Sequence, residues 1–187
     1  MDRVEEVRTT PLDGLIVIDR RPFEDDRGML DRLFDFDFIG SLSPGFRPMQ
    51  VNHTVTRHSA TVRGMHYQLP PYEDTKIVTC LRGRVFDVAV DVRFDSPTFL
   101  SWHGEFLEPG NNRSHLIPVG FAHGFQALEG DCELLYVHGA SYRPEAEAGI
   151  RPDDPVLGIE WPKRPTQMST RDAAHPLLAD DWTGIGK

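Results

Sequence analysis

The chain has 187 residues, with 20 Lys and Arg against 29 Asp and Glu, for a formal net charge of −9. That length suits one domain with a proper buried core, and the acidic balance argues against nucleic acid or an anionic membrane as the main partner, leaving room only for a local anion site. Cys80 and Cys132 lack CxxC spacing, no signal-like stretch opens the chain, and no apolar run approaches the ~20 residues that span a bilayer. A water-soluble cytoplasmic protein with both thiols acting as small buried apolar groups is expected.

Short runs rich in Val, Ile, Phe, Thr and Tyr recur between Gly, Pro, Asn and Asp, the pattern of a β-sandwich or barrel rather than of alternating βαβ units. In chain order the candidate strands are Leu15–Ile18, Gln50–Thr56, Met65–Gln68, Lys76–Cys80, Val85–Arg93, Trp102–Leu107, Ser114–Ile117, Gly124–Leu128 and Cys132–Ala140. Between the first two, Phe36–Leu42 has the spacing of a short helix closed by Ser43-Pro44-Gly45. The clearest strand is Val85–Arg93, where Phe86, Val88, Val90 and Val92 share one face and Asp87, Ala89 and Asp91 the other. Leu81-Arg82-Gly83-Arg84 reads as the turn before it. From Tyr142 onward, X-Pro dipeptides force an extended path expected to wrap the sheet, with a short helix after Ser169. The expectation is one domain over residues 1–187, with a core of about 12–165 and a wrapping segment over 166–187.

His66 lies in Val62-Arg63-Gly64-Met65-His66-Tyr67-Gln68, and imidazole is the side chain best matched to moving protons near neutral pH. A single histidine on an apolar strand reads first as a hydrogen-bonded core residue, but here the company shifts the balance. Gly64, His66 and Gln68 share one strand face with Arg63 alongside, Lys76 is one hairpin away, Asp87 lies on the next strand, and His123 follows in Pro118-Val119-Gly120-Phe121-Ala122-His123-Gly124-Phe125. Burying so many ionisable groups in a small β-domain is unfavourable unless they pair and serve a purpose. A general base, an ammonium, a carboxylate and a second histidine suit removal of a proton from carbon beside a carbonyl, with Lys76 stabilising the oxyanion. For Lys76 and Asp87 alone, a structural salt bridge is the competing explanation. A metal is the competing use for the histidines. However, Gly64 and Gln68 stand where a His-x-His pair would need a second imidazole, and Glu73 and Asp74 lie in a Pro-rich turn, so neither metal nor cofactor is expected.

Tyr136 and Tyr142 are phenols able to return a proton to carbanionic carbon, against the alternative of ordinary aromatic packing. Arg27, in Asp25-Asp26-Arg27-Gly28, and Arg63 suit a diphosphate because guanidinium binds phosphate oxygens bidentately. An exposed turn arginine is the alternative for Arg27.

These residues form part of an ordered series: Asp26-Arg27-Gly28, Gln50-Val51-Asn52-His53, Val62 to Gln68, Lys76-Ile77-Val78, Phe86 to Arg93, Ser96-Pro97-Thr98-Phe99, Pro118 to Phe125, Tyr136, Tyr142 to Glu147, Asp154-Pro155, Ile159-Glu160-Trp161-Pro162 and Ser169-Thr170-Arg171-Asp172. Over nearly its whole length the chain thereby resembles the dTDP-4-dehydrorhamnose 3,5-epimerase family of nucleotide-sugar epimerases. The resemblance implies an all-β, cupin-type double-stranded β-helix (a jelly-roll barrel) with a few short helices. It implies that His66 abstracts the proton alpha to the C4 ketone, with Asp172 as its dyad partner. Lys76 would steady the enolate with Asp87 oriented beside it, and Tyr136 would return a proton from the opposite face. Arg63, Gln50, Asn52, His123, Tyr142 and Glu147 match positions around the substrate, and Arg27 would approach the nucleotide or diphosphate from a partner subunit of a strand-exchanged homodimer.

The function so implied is inversion of C3 and/or C5 of a nucleotide diphosphate 4-keto-6-deoxyhexose, foremost dTDP-4-dehydro-6-deoxyglucose to dTDP-4-dehydrorhamnose, without a metal. A C3-only or C5-only epimerase for an unusual deoxysugar, with thymidine or another base, is the second reading; Met29-Leu30-Asp31-Arg32, standing where the family shows an aromatic and then a glutamate near the base, bear on the base alone. A non-catalytic sugar-nucleotide-binding cupin and a metal-dependent cupin oxygenase are the readings from other classes.

Overall fold

The computed structural model describes residues 5–186. Its strands are β1 (Glu6–Thr9), β2 (Ile16–Asp19), β3 (Phe23–Asp25), β4 (Gly28–Leu30), β5 (Gln50–Thr56), β6 (Val62–Gln68), β7 (Lys76–Arg82), β8 (Val85–Asp91), β9 (Trp102–Leu107), β10 (Arg113–Ile117), β11 (Phe121–Ala127), β12 (Cys132–His138) and β13 (Glu147–Gly149). They form a six-stranded sheet in the order β1-β2-β10-β7-β12-β5, a five-stranded sheet in the order β13-β6-β11-β8-β9, and the small β3–β4 hairpin. Every pairing in these sheets is antiparallel. From β5 to β8, and again from β9 to β13, successive strands alternate between two facing sheets, which is the all-β jelly roll of the cupin type. No helix among the described residues is long and apolar enough to cross a membrane.

Gln50–Thr56, Trp102–Leu107 and the helix α1 (Phe36–Leu42) take the bounds read from the sequence. The helix starts where Asp35 accepts a hydrogen bond from the Phe38 N–H at 3.0 Å, and it seats Phe38 and Ile39 in the core. The turn before β8 is shorter than expected, because β7 runs on to Arg82 and Gly83 turns the chain at φ +75°. Strands β1, β3, β4 and β13 were not expected. The first three are three or four residues long and fully exposed, so they carry none of the apolar alternation that marks a strand.

Period-two alternation sends each central strand into two apolar layers. Val78, Cys80, Val85, Ala89, Phe125 and Leu134 meet between the two sheets. Ile77, Leu116 and Val137 face outward under α1 with Phe38, Ile39 and Phe46. Phe86, Val88, Val90 and Val92 face outward from the five-stranded sheet and are covered by the Pro-rich stretch after Tyr142, through Ile150, Leu157, Trp161 and Ile185. That cover is pinned by backbone hydrogen bonds between Ile150 and Met65 and between Ile185 and Val92. Buried Asp154 adds a side-chain tie, accepting from the Leu178 N–H at 2.7 Å. Cys80 and Cys132 are free and buried.

Asp91, at the end of β8, has no exposed surface. It accepts hydrogen bonds from Arg93 Nε at 2.9 Å, Arg93 Nη2 at 2.7 Å, Ser96 Oγ at 2.6 Å and Thr98 Oγ1 at 2.6 Å. Burial alone would raise its pKa, but the Arg93, Ser96 and Thr98 hydrogen bonds outweigh that and hold it at about 2, against 3.8 for a free carboxyl. A depressed carboxyl stabilises fully above its unfolded value and loses that contribution as pH falls through its folded value. Asp91→Asn is therefore expected to lower stability at pH 7 by roughly 2 kcal/mol and to flatten the loss of stability that the native chain shows as pH drops from 3.8 to about 2. Urea unfolding across that window checks this, and an unchanged pH profile in the variant would refute it.

Candidate active site

A cavity of about 500 Å³ opens between the two sheets, within the range of sites that take a small molecule. Alternation on β5 and β12 turns Gln50, Asn52 and Thr54, and Tyr136 and His138, into it, with Lys76 from the start of β7. The facing sheet contributes Arg63, His66 and Gln68 from β6 and His123 and Phe125 from β11. Tyr142, Glu147, Ser169, Arg171 and Asp172 close the side, the last three from the start of α2 (Thr170–Ala174) and its cap.

Arg63 and His66 are three residues apart, so in a regular strand they would face opposite ways. The ladder slips between them: Arg63 pairs with Phe125 and His66 with His123, three steps on β6 against two on β11. This bulge brings both side chains into the cavity. It needs glycine on both sides, since Gly64 sits at φ +124° and a Cβ there would lie 2.5 Å from the Gly124 Cα.

His66 Nε2 lies 2.8 Å from Asp172 Oδ1. Asp172 is buried at 2% exposure, sits in the first turn of α2, and also accepts from the Gly64 N–H at 3.3 Å. Burial would raise its pKa, but the His66 hydrogen bond and charge more than offset this and hold it below the usual carboxylate range. An ionised Asp172 accepts a hydrogen bond from His66 Nε2–H, which leaves the His66 lone pair on Nδ1. Arg171 Nη2 comes within 3.3 Å of His66 Nε2, while Arg171 Nη1 donates to Glu147 Oε2 at 2.6 Å. Tyr142 Oη donates to the same Glu147 oxygen at 2.6 Å.

On the six-stranded wall, burial first and the Asp87 charge second push the Tyr136 phenol well above its ordinary pKa, so it carries its proton at any physiological pH. Its ring meets His123 edge-on at 6.0 Å and stacks on His138 at 5.7 Å. Lys76 Nζ lies 3.7 Å from Asp74 Oδ2.

Asp87 departs from both expectations placed on it. It is wholly buried behind the cavity lining and pairs with two histidines, His115 Nδ1 at 2.9 Å and His123 Nε2 at 2.8 Å, not with Lys76. The reason is topological: β7 and β8 follow one another in sequence but enter different sheets. Burial would raise the Asp87 pKa, yet the His123 charge and the two histidine hydrogen bonds hold it at about 2. Burial in turn lowers the pKa of His123, and His123 Nε2–H donates to the ionised Asp87. Asp87 thus meets the cavity lining through His123 and has no exposed surface of its own.

Of the other residues singled out in the sequence, His66, Lys76, Tyr136, Asp172, Gln50, Asn52, Arg63, His123, Tyr142 and Glu147 line the one cavity. Arg27 does not. It sits at the tip of the β3–β4 hairpin, exposed and paired with Asp25 at 2.5 Å. Arg171, Asp74 and His138 line the cavity and were not singled out as site residues. Arg171 sat beside Asp172 in a quoted motif, but nothing in its spacing marks a side chain that reaches back to His66. Among the described residues, His66, Asp172 and His175 bring possible metal-ligating atoms within 4.8 Å of one another. The Arg171 guanidinium beside His66 Nε2 places a positive charge where a cation would sit, which disfavours that use.

The dTDP-4-dehydrorhamnose 3,5-epimerase family model matches residues 9–180. The dTDP-4-dehydrorhamnose 3,5-epimerase of Sinorhizobium fredii is 38% identical over 161 residues, covering 86% of this chain and 83% of that protein. A dTDP-4-dehydrorhamnose 3-epimerase of Streptomyces niveus is 35% identical over 175 residues, covering 93% of this chain and 84% of that one. The crystal structure of a dTDP-6-deoxy-D-glucose-3,5-epimerase from Legionella pneumophila, in complex with dTDP-4-keto-L-rhamnose, matches with a TM-score of 0.90 at 34% identity, covering 98% of this chain and 99% of that one. With matches of this extent in sequence and fold around the same cavity, the chain belongs to the dTDP-4-dehydrorhamnose 3,5-epimerase family.

Proposed function

We propose that this chain is an isomerase that epimerises a dTDP-linked 4-keto-6-deoxyhexose at C3 and C5, converting dTDP-4-dehydro-6-deoxyglucose to dTDP-4-dehydrorhamnose. The observation that carries the reading is one cavity with His66, paired to Asp172 of α2, on one wall and a proton-bearing Tyr136 on the other. Inverting a carbon centre needs a base on one face and an acid on the opposite face. The names of the relatives, and the keto-sugar nucleotide in the Legionella complex, support the substrate class.

In this mechanism Asp172 fixes the His66 tautomer and stabilises the imidazolium that forms when Nδ1 takes the proton beside the ketone. Lys76 places its ammonium where negative charge develops on the ketone oxygen. Tyr136 gives a proton to the carbon from the far side, and the enolate collapses back to the ketone. Arg63 and Arg171 supply guanidinium for the diphosphate, while Gln50, Asn52, His123, Tyr142 and Glu147 shape the rest of the pocket. Metal and cofactor have no part in this scheme.

Single-centre inversion is the second reading, favoured by the 35% identity to a 3-epimerase. Proton NMR in deuterated buffer with the 4-keto sugar nucleotide separates the two, since deuterium enters at both carbons or at one. His66→Asn is expected to abolish exchange at every carbon, and Asp172→Asn to slow it by about 10²–10⁴-fold through loss of the correct tautomer. Tyr136→Phe should keep exchange while losing the doubly inverted product. A His66→Asn protein that still exchanges would sink the proposal.

The assembly we propose is a homodimer with exchanged strands in the cytoplasm, built from residues 1–187 as one domain with a wrapping C-terminal segment. Strand β5 supports it: it is an unpaired sheet edge carrying exposed Val51 and Val55, and such edges are normally covered. The exposed hairpin with Phe23, Met29 and Leu30 adds further apolar surface, and puts Arg27 at its tip for use by a partner's site. Sedimentation is expected to give twice the chain mass. Arg27→Ala should raise KM with little change in kcat. A monomer with unimpaired activity would refute the dimer.

A further inference from the structure

The wall opposite His66 holds a second histidine–carboxylate pair that the scheme above leaves unused. His138 Nδ1 donates to Asp74 Oδ2 at 2.6 Å. Asp74 is itself held firmly, since its other oxygen accepts from the N–H groups of Gly139 and Ala140 at 3.1 Å each. With Nδ1 committed to Asp74, Nε2 is the His138 ring nitrogen left for a ligand, and the Asn52 amide lies 3.3 Å from it. Both His138 and Asp74 line the cavity. His138 follows Tyr136 by two residues on β12, so the two side chains share one face, with rings stacked at 5.7 Å and 11°.

Packing alone would not need this arrangement. A stacking partner for Tyr136 requires only a flat ring, whereas here a carboxylate with three hydrogen bonds fixes the tautomer of an imidazole beside a ligand cavity. The same device orients His66 through Asp172 on the facing sheet.

The reaction has a matching requirement. C3 and C5 lie on either side of the C4 ketone, and inversion at each needs a proton delivered to the face opposite His66. We propose that Tyr136 and His138 divide this work: they are two adjacent proton donors, one for each carbon flanking the ketone, with Asp74 holding His138 in place. The proposal rests on the epimerase reading.

At either carbon the C–H electron pair becomes the enolate double bond as His66 takes the proton, and the carbonyl pair moves to the oxygen beside Lys76. On return the enolate pair forms a new C–H bond with the proton from the donor wall, and the oxygen pair re-forms the carbonyl. His66 is left protonated and the donor has lost one proton: Tyr136 becomes the phenolate, while His138 acts from the imidazolium paired with the Asp74 carboxylate, gives up its Nε2 proton and becomes the neutral ring; exchange with water resets both walls.

The test is carbon-resolved proton NMR in deuterated buffer on dTDP-4-dehydro-6-deoxyglucose. His138→Phe, which keeps a stackable ring, is expected to lower inversion at one carbon at least tenfold and leave the other within threefold. Tyr136→Phe should give the reciprocal pattern. In His138→Ala, free imidazole in the buffer should restore inversion at the affected carbon, a rescue that a packing role would not show. Asp74→Asn should affect the same carbon as His138→Phe, more weakly. Inversion unchanged at both carbons, equal loss at both, or a native enzyme that inverts one carbon only would each overturn the division of labour. Exchange that survives in His66→Asn would instead overturn the epimerase reading itself, so the two failures are distinct.

Discussion

The hydrogen bond between His66 and Asp172 is the contact on which the site depends. It joins residues 106 positions apart, one in a central strand and the other in the first turn of a five-residue helix near the end of the chain. A helix that short has no independent stability, so Asp172 is held by what surrounds it. Ser169 caps the helix, Gly64 gives Asp172 a second donor, and the extended stretch before it is laid against the five-stranded sheet by Leu157 and Trp161. The outer apolar layer therefore has a function beyond stability: it delivers a carboxylate to the strand that carries the imidazole.

The same strand shows why backbone irregularity belongs at such a site. Only the slip opposite His123 and Phe125 lets Arg63 and His66 share the cavity, and the Gly64 and Gly124 backbones must approach closely for that to happen. Behind them, Asp87 takes its two histidine donors in a region with no water-facing surface. A buried carboxylate is tolerable there because both its oxygens are paired. His115 Nε2 has no hydrogen-bond partner among the described residues, so the side-chain hydrogen bond that ring makes is the one from Nδ1 to Asp87. The consequence is a rigid His123 on the pocket wall, oriented from behind by a charge with no exposed surface.

Much of this was legible in the sequence where the signal is local. Alternation on β5 and β9, and the helical spacing of Phe36–Leu42, gave their bounds directly. The ordered motifs, taken as a resemblance, brought His66, Lys76, Tyr136 and Asp172 into one account. What failed to show had a physical cause in each case. The pairing of Asp87 with His115 and His123, and not with Lys76, depends on which sheet each strand joins, and sequence adjacency of β7 and β8 suggests the wrong neighbour. Arg171 reaches the cavity from the first turn of a five-residue helix, too short for periodicity to tell where a long side chain goes; His138 shares a face of β12 with Tyr136, but nothing in the spacing ties it to Asp74, 64 residues earlier. Strand β13 is three half-buried residues whose only mark is its pairing with β6.

Charge distribution ties the fold to its ligand. A chain of net charge −9 repels a nucleotide diphosphate at long range, though salt screens this beyond about 8–10 Å. Within that distance the local pattern decides, and here Arg63, Lys76 and Arg171 converge on one cavity. Each is oriented by a partner, Arg63 by Thr56, Lys76 by Asp74 and Arg171 by Glu147. Those partners keep the cations ordered before a ligand arrives, so less side-chain freedom is lost on binding. The Asp74 and Glu147 carboxylates also offset two of the three positive charges in a partly desolvated pocket. The acidic composition that argues against nucleic acid is thus compatible with a strongly anionic small-molecule substrate, because the few cations that matter are gathered where both sheets, the segment after β12 and the last helix meet.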